Sequence, residues 1–144
     1  MAAATTIARL LLGLLFTFAG ASAFFMTPPH LPGLAGAFND VFSQSHWSLF
    51  LGAAQVVIGV LLLINRFVPL ALIMLAAFLY NSFAFHITMA QSSLFAPLIV
   101  TALWALISWK YRSLFALLLA PAPPLEQQGS GPERRVSIRP TLFA

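Results

Sequence analysis

The chain predicts an all-α integral membrane protein, a four-helix bundle with both termini on the cytoplasmic side. Three observations carry that reading. Of the 144 residues, 60% are hydrophobic and only 7% are charged, where an ordinary soluble domain carries roughly a quarter charged residues. The mean hydropathy is +0.94. The basic residues gather at the ends of apolar runs, where membrane topology places them. The length allows about four spans of roughly 20 residues with short connections and no second domain. Spans are expected at 5–26, 48–65, 68–90 and 94–112, within a transmembrane domain of residues 1–120.

The first apolar run, Ile7 to Phe25, follows Thr5-Thr6, which can cap a helix, and holds Gly13 and Gly20 seven residues apart on one face. Small residues on one face let a neighbouring membrane helix approach closely. Arg9 followed by a short apolar stretch and Ala21-Ser22-Ala23 also has the form of a signal peptide. Phe24-Phe25-Met26 continue the run without a break and favour an uncleaved span.

Pro28-Pro29-His30-Leu31-Pro32-Gly33 cannot continue that helix, and Leu34 to Phe42 reads as a short amphipathic segment lying at the surface. This first outer loop holds His30, Asp40 and His46 and no Lys or Arg. The second and third spans meet at Asn65-Arg66-Phe67, and Pro69 suits the first turn of the third helix. Gln91-Ser92-Ser93 is a short uncharged turn before the fourth span.

Trp109, Lys110, Tyr111 and Arg112 form an aromatic and cationic anchor at the end of the fourth span, with Arg66 at the same membrane face. Residues 121–144 have the composition of a disordered cytoplasmic tail. The formal charge of +4 therefore belongs to membrane topology and not to nucleic-acid binding. With no cysteine in the chain, thiolate nucleophiles, disulfide exchange and cysteine-ligated clusters are excluded.

The polar residues inside the spans mark the candidate site, because a polar side chain at bilayer depth is costly unless partnered. Gln55 lies roughly 10 Å into the second span and Asn81 roughly 13 Å into the third, counted from the outer face at about 1.5 Å per residue. In an antiparallel hairpin these depths nearly coincide. Ser82 and His86 share one helix face nearer the outer end, beside Asp40 and His46 of the loop. One reading has Gln55 and Asn81 hydrogen-bonding across the hairpin and fastening two helices. The other has Gln55, Asn81, Ser82 and His86 holding the carbonyl head of a lipid-soluble ligand such as a quinone, among Phe, Leu and Ala walls, with Asp40 and His46 at the rim. The three histidines are too dispersed for metal spacing, so no metal site is expected, and no catalytic motif is visible.

Gly13-Leu14-Leu15-Phe16, the stretch from Gly52 through Arg66-Phe67-Val68-Pro69-Leu70-Ala71-Leu72, Asn81 with Phe85-His86, and Tyr111-Arg112 with Phe115 together resemble the DoxX-like family of small bacterial membrane proteins. The resemblance covers residues 7 to 119 and implies a four-helix bundle in the bacterial cytoplasmic membrane. The family takes its name from a subunit of an archaeal thiosulfate:quinone oxidoreductase, and many members carry Glu at the position of Gln55. A glutamine cannot ionise, which leaves hydrogen bonding but removes proton handling there.

The resemblance implies a non-catalytic membrane subunit or anchor of a redox-linked complex. The alternative is a quinone-interacting subunit of a membrane oxidoreductase, and a weaker one is a carrier of lipophilic small molecules. Quinone is the one cofactor implied. The expected partners are the lipid bilayer, membrane redox subunits and further copies of the chain. Reporter fusions after Asn65, Gln91 and Pro124 should read inside, outside and inside, and an outside reading at Pro124 would overturn the topology.

Overall fold

The computed structural model describes residues 2–27 and 30–120; the tail at 121–144 lies outside the described residues. Six α-helices form among the described residues: α1 (Ala2–Phe25), α2 (Gly33–Gln44), α3 (Trp47–Leu63), α4 (Val68–Thr88), α5 (Phe95–Lys110) and α6 (Arg112–Leu118), with a 3-10 turn at Gln91–Ser93 before α5. There is no strand among the described residues. Apolar composition makes these helices, since hydrocarbon leaves backbone polar groups no partner outside the segment itself.

The closest packing joins α1 to α3, antiparallel, through glycines on both helices. A Cβ on Gly20 would lie 2.5 Å from the Gly52 carbonyl oxygen, and one on Gly52 would lie 2.7 Å from the Gly20 oxygen. Seven residues along each helix the contact repeats: a Cβ on Gly59 would lie 2.7 Å from the Gly13 oxygen and 2.5 Å from the Thr17 nitrogen. Backbone therefore meets backbone along the seam, and the Gly13/Gly20 face legible in the sequence is the face that α3 uses. Thr5 and Thr6 lie inside α1, which begins at Ala2, and not at its cap.

The seam places Arg9 against the far end of α3. A helix leaves its last four carbonyls without intrahelical donors, and here each has one. Ile64 N donates to Val60 O at 2.9 Å, Arg66 N to Leu61 O at 3.2 Å and Asn65 N to Leu62 O at 3.3 Å. The last two bonds, with Asn65 left-handed at φ 56°, form a Schellman cap in which Asn replaces the usual Gly. Arg9 Nη1 donates to Leu62 O and to Leu63 O at 3.2 Å, completing the set with a cation at the negative helix end.

α4 packs on α3, and α5 packs on both α4 and α1. Ala8, Leu12 and Phe16 of α1, Ile58 and Leu62 of α3, Val68, Ala71, Leu72, Leu75 and Leu79 of α4 and Ile107 of α5 make one buried cluster. Phe16 meets Phe78 edge to face at 5.1 Å, and the Trp104 indole donates to Leu72 O at 2.9 Å across α4 and α5. This core lies toward the end that carries Arg9, Arg66 and Lys110.

Among the described residues three segments are long and apolar enough to cross a membrane: α1, α4 and Gln91–Lys110. The expected second span at 48–65 is realised differently, because α3 qualifies only together with α2, from which it is bent by 86°. The bend falls at Ser45-His46, with His46 left-handed at φ 59°. Substituting Gly20→Leu or Gly59→Leu should cost about 1–3 kcal/mol of stability in detergent melts, while Leu14→Ala on the exposed face of α1 should stay within about 0.5 kcal/mol.

Candidate functional site

Toward the end opposite Arg9, the buried contacts between α3 and α4 stop and a cleft of about 460 Å³ opens. Its walls are Trp47 and Leu51 of α3 and Phe78, Asn81, Ser82, Phe85 and Thr88 of α4, followed by Met89. The bend at His46 folds α2 across the opening, adding Phe38, Asn39 and Phe42. Phe38 stacks on Phe42 at 5.6 Å and leans on Phe85 at 5.6 Å, so aromatic contact fixes α2 over the cleft.

The polar groups in this cleft are few and differently engaged. Asn81 Nδ2 donates to Ala77 O of its own helix at 2.9 Å, leaving its Oδ1 and a second N–H for a guest. The Thr88 hydroxyl donates to Ala84 O at 2.7 Å. The side chains of Ser82 and Asn39 have no hydrogen-bond partner among the described residues. Five aromatic rings with a small convergent set of amides and hydroxyls is the composition of a site for an apolar ligand with a polar head.

Of the candidates expected from sequence, Asn81 and Ser82 line the cleft. Gln55 and His86 do not. Gln55 occupies the stripe of α3 that also carries Gly52, Gly59 and Leu62, all buried, and its Cβ sits against Gly20 of α1. No hydrogen bond joins it to Asn81, and its amide has no partner among the described residues. Matching the depths of the two amides leaves open which way each helix turns its side chains, and rotation about the axes separates them.

His86 points to the end of its own helix. Its Nδ1 lies 2.9 Å from Ser93 Oγ and 3.4 Å from Ala90 O, tying α4 to the 3-10 turn. Asp40 and His46 are exposed and lie beside the cleft-lining Asn39 and Trp47 in sequence without lining it themselves. At the opposite end Arg112 lies over the Trp109 ring at 5.4 Å and Lys110 over Tyr111 at 5.8 Å, while Arg66 is exposed in the α3–α4 turn. Among the described residues no group of His, Cys, Asp or Glu is placed to hold a metal ion.

Apart from Asn81 and Ser82, sequence reasoning missed the lining residues, among them Phe38, Asn39, Phe42, Trp47, Phe78 and Phe85. Spacing carried a signal for some of them: Phe38 and Phe42 stand four apart, and Phe78, Asn81, Phe85 and Thr88 fall on one face of α4.

The DoxX family model matches residues 4–87, more than half of the chain. No curated protein and no solved structure was found to match it. Because Gln55 and Asn81 face different neighbours, a double-mutant cycle of Gln55→Leu and Asn81→Leu should give a coupling within about 0.5 kcal/mol of zero. A coupling well above that in detergent melts would show that the two amides meet.

Proposed function

The chain belongs to the DoxX family, and on that premise we propose that it is a multi-pass protein of the bacterial cytoplasmic membrane that holds a quinone-type ligand as a subunit of a redox-linked assembly. Its four spans form a bundle with both termini inside. The observation that carries this reading is the cleft of about 460 Å³ between α2, α3 and α4, walled by five aromatic rings and lined by Asn39, Asn81 and Ser82.

The chemistry fits both redox forms of such a ligand. A quinone ring offers two carbonyl acceptors, and its reduced form offers two hydroxyl donors. The second N–H of Asn81, the Ser82 hydroxyl and the Asn39 amide can donate to the first, while Asn81 Oδ1 and Asn39 Oδ1 can accept from the second. The rings of Phe38, Phe78 and Phe85 stack against a flat guest. Asp40 is the one carboxylate among the described residues and lies exposed on α2, and the amide at position 55 does not ionise. The chain binds and orients the ligand, and a partner subunit supplies the redox centre.

Trp47 on the cleft wall reports occupancy. A short-chain quinone titrated into the detergent-solubilised protein should quench a fluorescence component that Trp47→Phe removes. Asn81→Leu combined with Ser82→Ala should weaken binding by about tenfold or more while leaving the melting temperature near that of the wild type. A wild-type protein that neither co-purifies with quinone nor shows saturable quenching would overturn the ligand reading.

A further inference from the structure

At the opposite end from the cleft, the first turns of α1, the α3–α4 turn and the end of α5 enclose a second, smaller notch of about 80 Å³. Its walls are almost wholly hydrogen-bonding groups: Thr5, Thr6, Arg9, Asn65, Lys110 and Tyr111. Two cationic side chains thus converge on one small space, and among the described residues neither faces a carboxylate. Asp40 is the only acidic residue among the described residues and belongs to α2, at the cleft end.

Cations brought together at the edge of a low-dielectric bundle repel one another unless an anion lies between them. Arg9 cannot swing away, because its Nη1 is held on the Leu62 and Leu63 carbonyls. A guanidinium has five N–H donors in a fixed fork, so that anchorage leaves Nε and Nη2 to address a guest. Lys110 lies over the neighbouring Tyr111 ring at 5.8 Å, an arrangement that leaves its ammonium open to further acceptors. The notch is too small for an organic body and fits one tetrahedral oxyanion, whose oxygens are acceptors only and match walls rich in donors.

We propose that this notch binds a phosphate group through Arg9 and Lys110, with the Asn65 amide and the Tyr111 hydroxyl as further donors. The group arrives either as the headgroup of an anionic phospholipid at the membrane interface, where basic pockets between helices take such headgroups, or as a soluble phosphate.

The test uses the full chain in a neutral, phosphate-free detergent, with melting followed by tryptophan fluorescence. Phosphatidylglycerol, phosphatidylcholine and inorganic phosphate are titrated separately. Phosphatidylglycerol or inorganic phosphate should raise the melting temperature in a saturable way, and phosphatidylcholine should not. A response to phosphatidylglycerol alone assigns the phosphate to a lipid, and a response to inorganic phosphate assigns it to a soluble source. Lys110→Gln should weaken the effective affinity by about fivefold or more, Lys110→Arg should restore it, and Arg66→Gln, exposed in the adjoining turn, should leave it unchanged.

Equal losses in Lys110→Gln and Arg66→Gln would reduce the effect to diffuse surface charge and overturn the proposal. It also fails if neither anion shifts the melting temperature.

Discussion

Everything in the structure hangs on the backbone contact between α1 and α3. In lipid there is no hydrophobic reason for two apolar helices to associate, so packing has to come from close approach. Glycines at matching intervals on both helices permit that approach, and the register they set is strict, because each helix presents backbone where the other has no side chain. The same register delivers Arg9 to the end of α3. A longitudinal slip of one turn, about 5.4 Å, would withdraw the guanidinium from Leu62 and Leu63 and leave carbonyls without donors. Packing and hydrogen bonding thus select one alignment together.

With α1 and α3 joined, the remaining helices have an asymmetric surface to cover. Ile58 and Leu62 receive the first half of α4, and Ile107 and Trp104 of α5 close over Leu72 and its neighbours. Nothing comparable joins Leu51 to Phe85 or Trp47 to Thr88, where the side chains face one another across open space. α2 then serves as a roof, held by Phe38 and Phe42. One end of the molecule is dense and cationic, and the other is loosely filled and aromatic.

How much of this was legible depends on whether a feature is set by composition or by rotation. Helical spans, the basic residues that end them, the amphipathic segment before Trp47 and the small-residue face of α1 all follow from residue types and their spacing along one helix. The partner of a side chain depends on how two helices turn toward each other, which depth alone does not fix. Gln55 was matched to Asn81 by depth, yet it faces α1 while Asn81 bonds to Ala77. His86 was assigned to the site, and Ser93 holds it instead. Arg9 read as a charge that orients a span, and nothing local announces that it caps a helix fifty residues away. Asn39 and Trp47 join the cleft only because the chain bends by 86° between them, a feature whose one sequence mark is the interruption of the apolar run by Gln44-Ser45-His46.

The brevity of α3 reaches beyond the protein into the lipid around it. Its 17 residues extend about 26 Å where a typical hydrocarbon core measures about 30 Å, while the 21 residues of its neighbour α4 extend about 32 Å. Hydrophobic mismatch therefore concentrates on one flank and in one leaflet. Either the annular lipids thin locally or α2 sinks to make up the missing length, each at a fraction of a kcal/mol per ångström. Both adjustments would fall on α2, the helix that roofs the cleft.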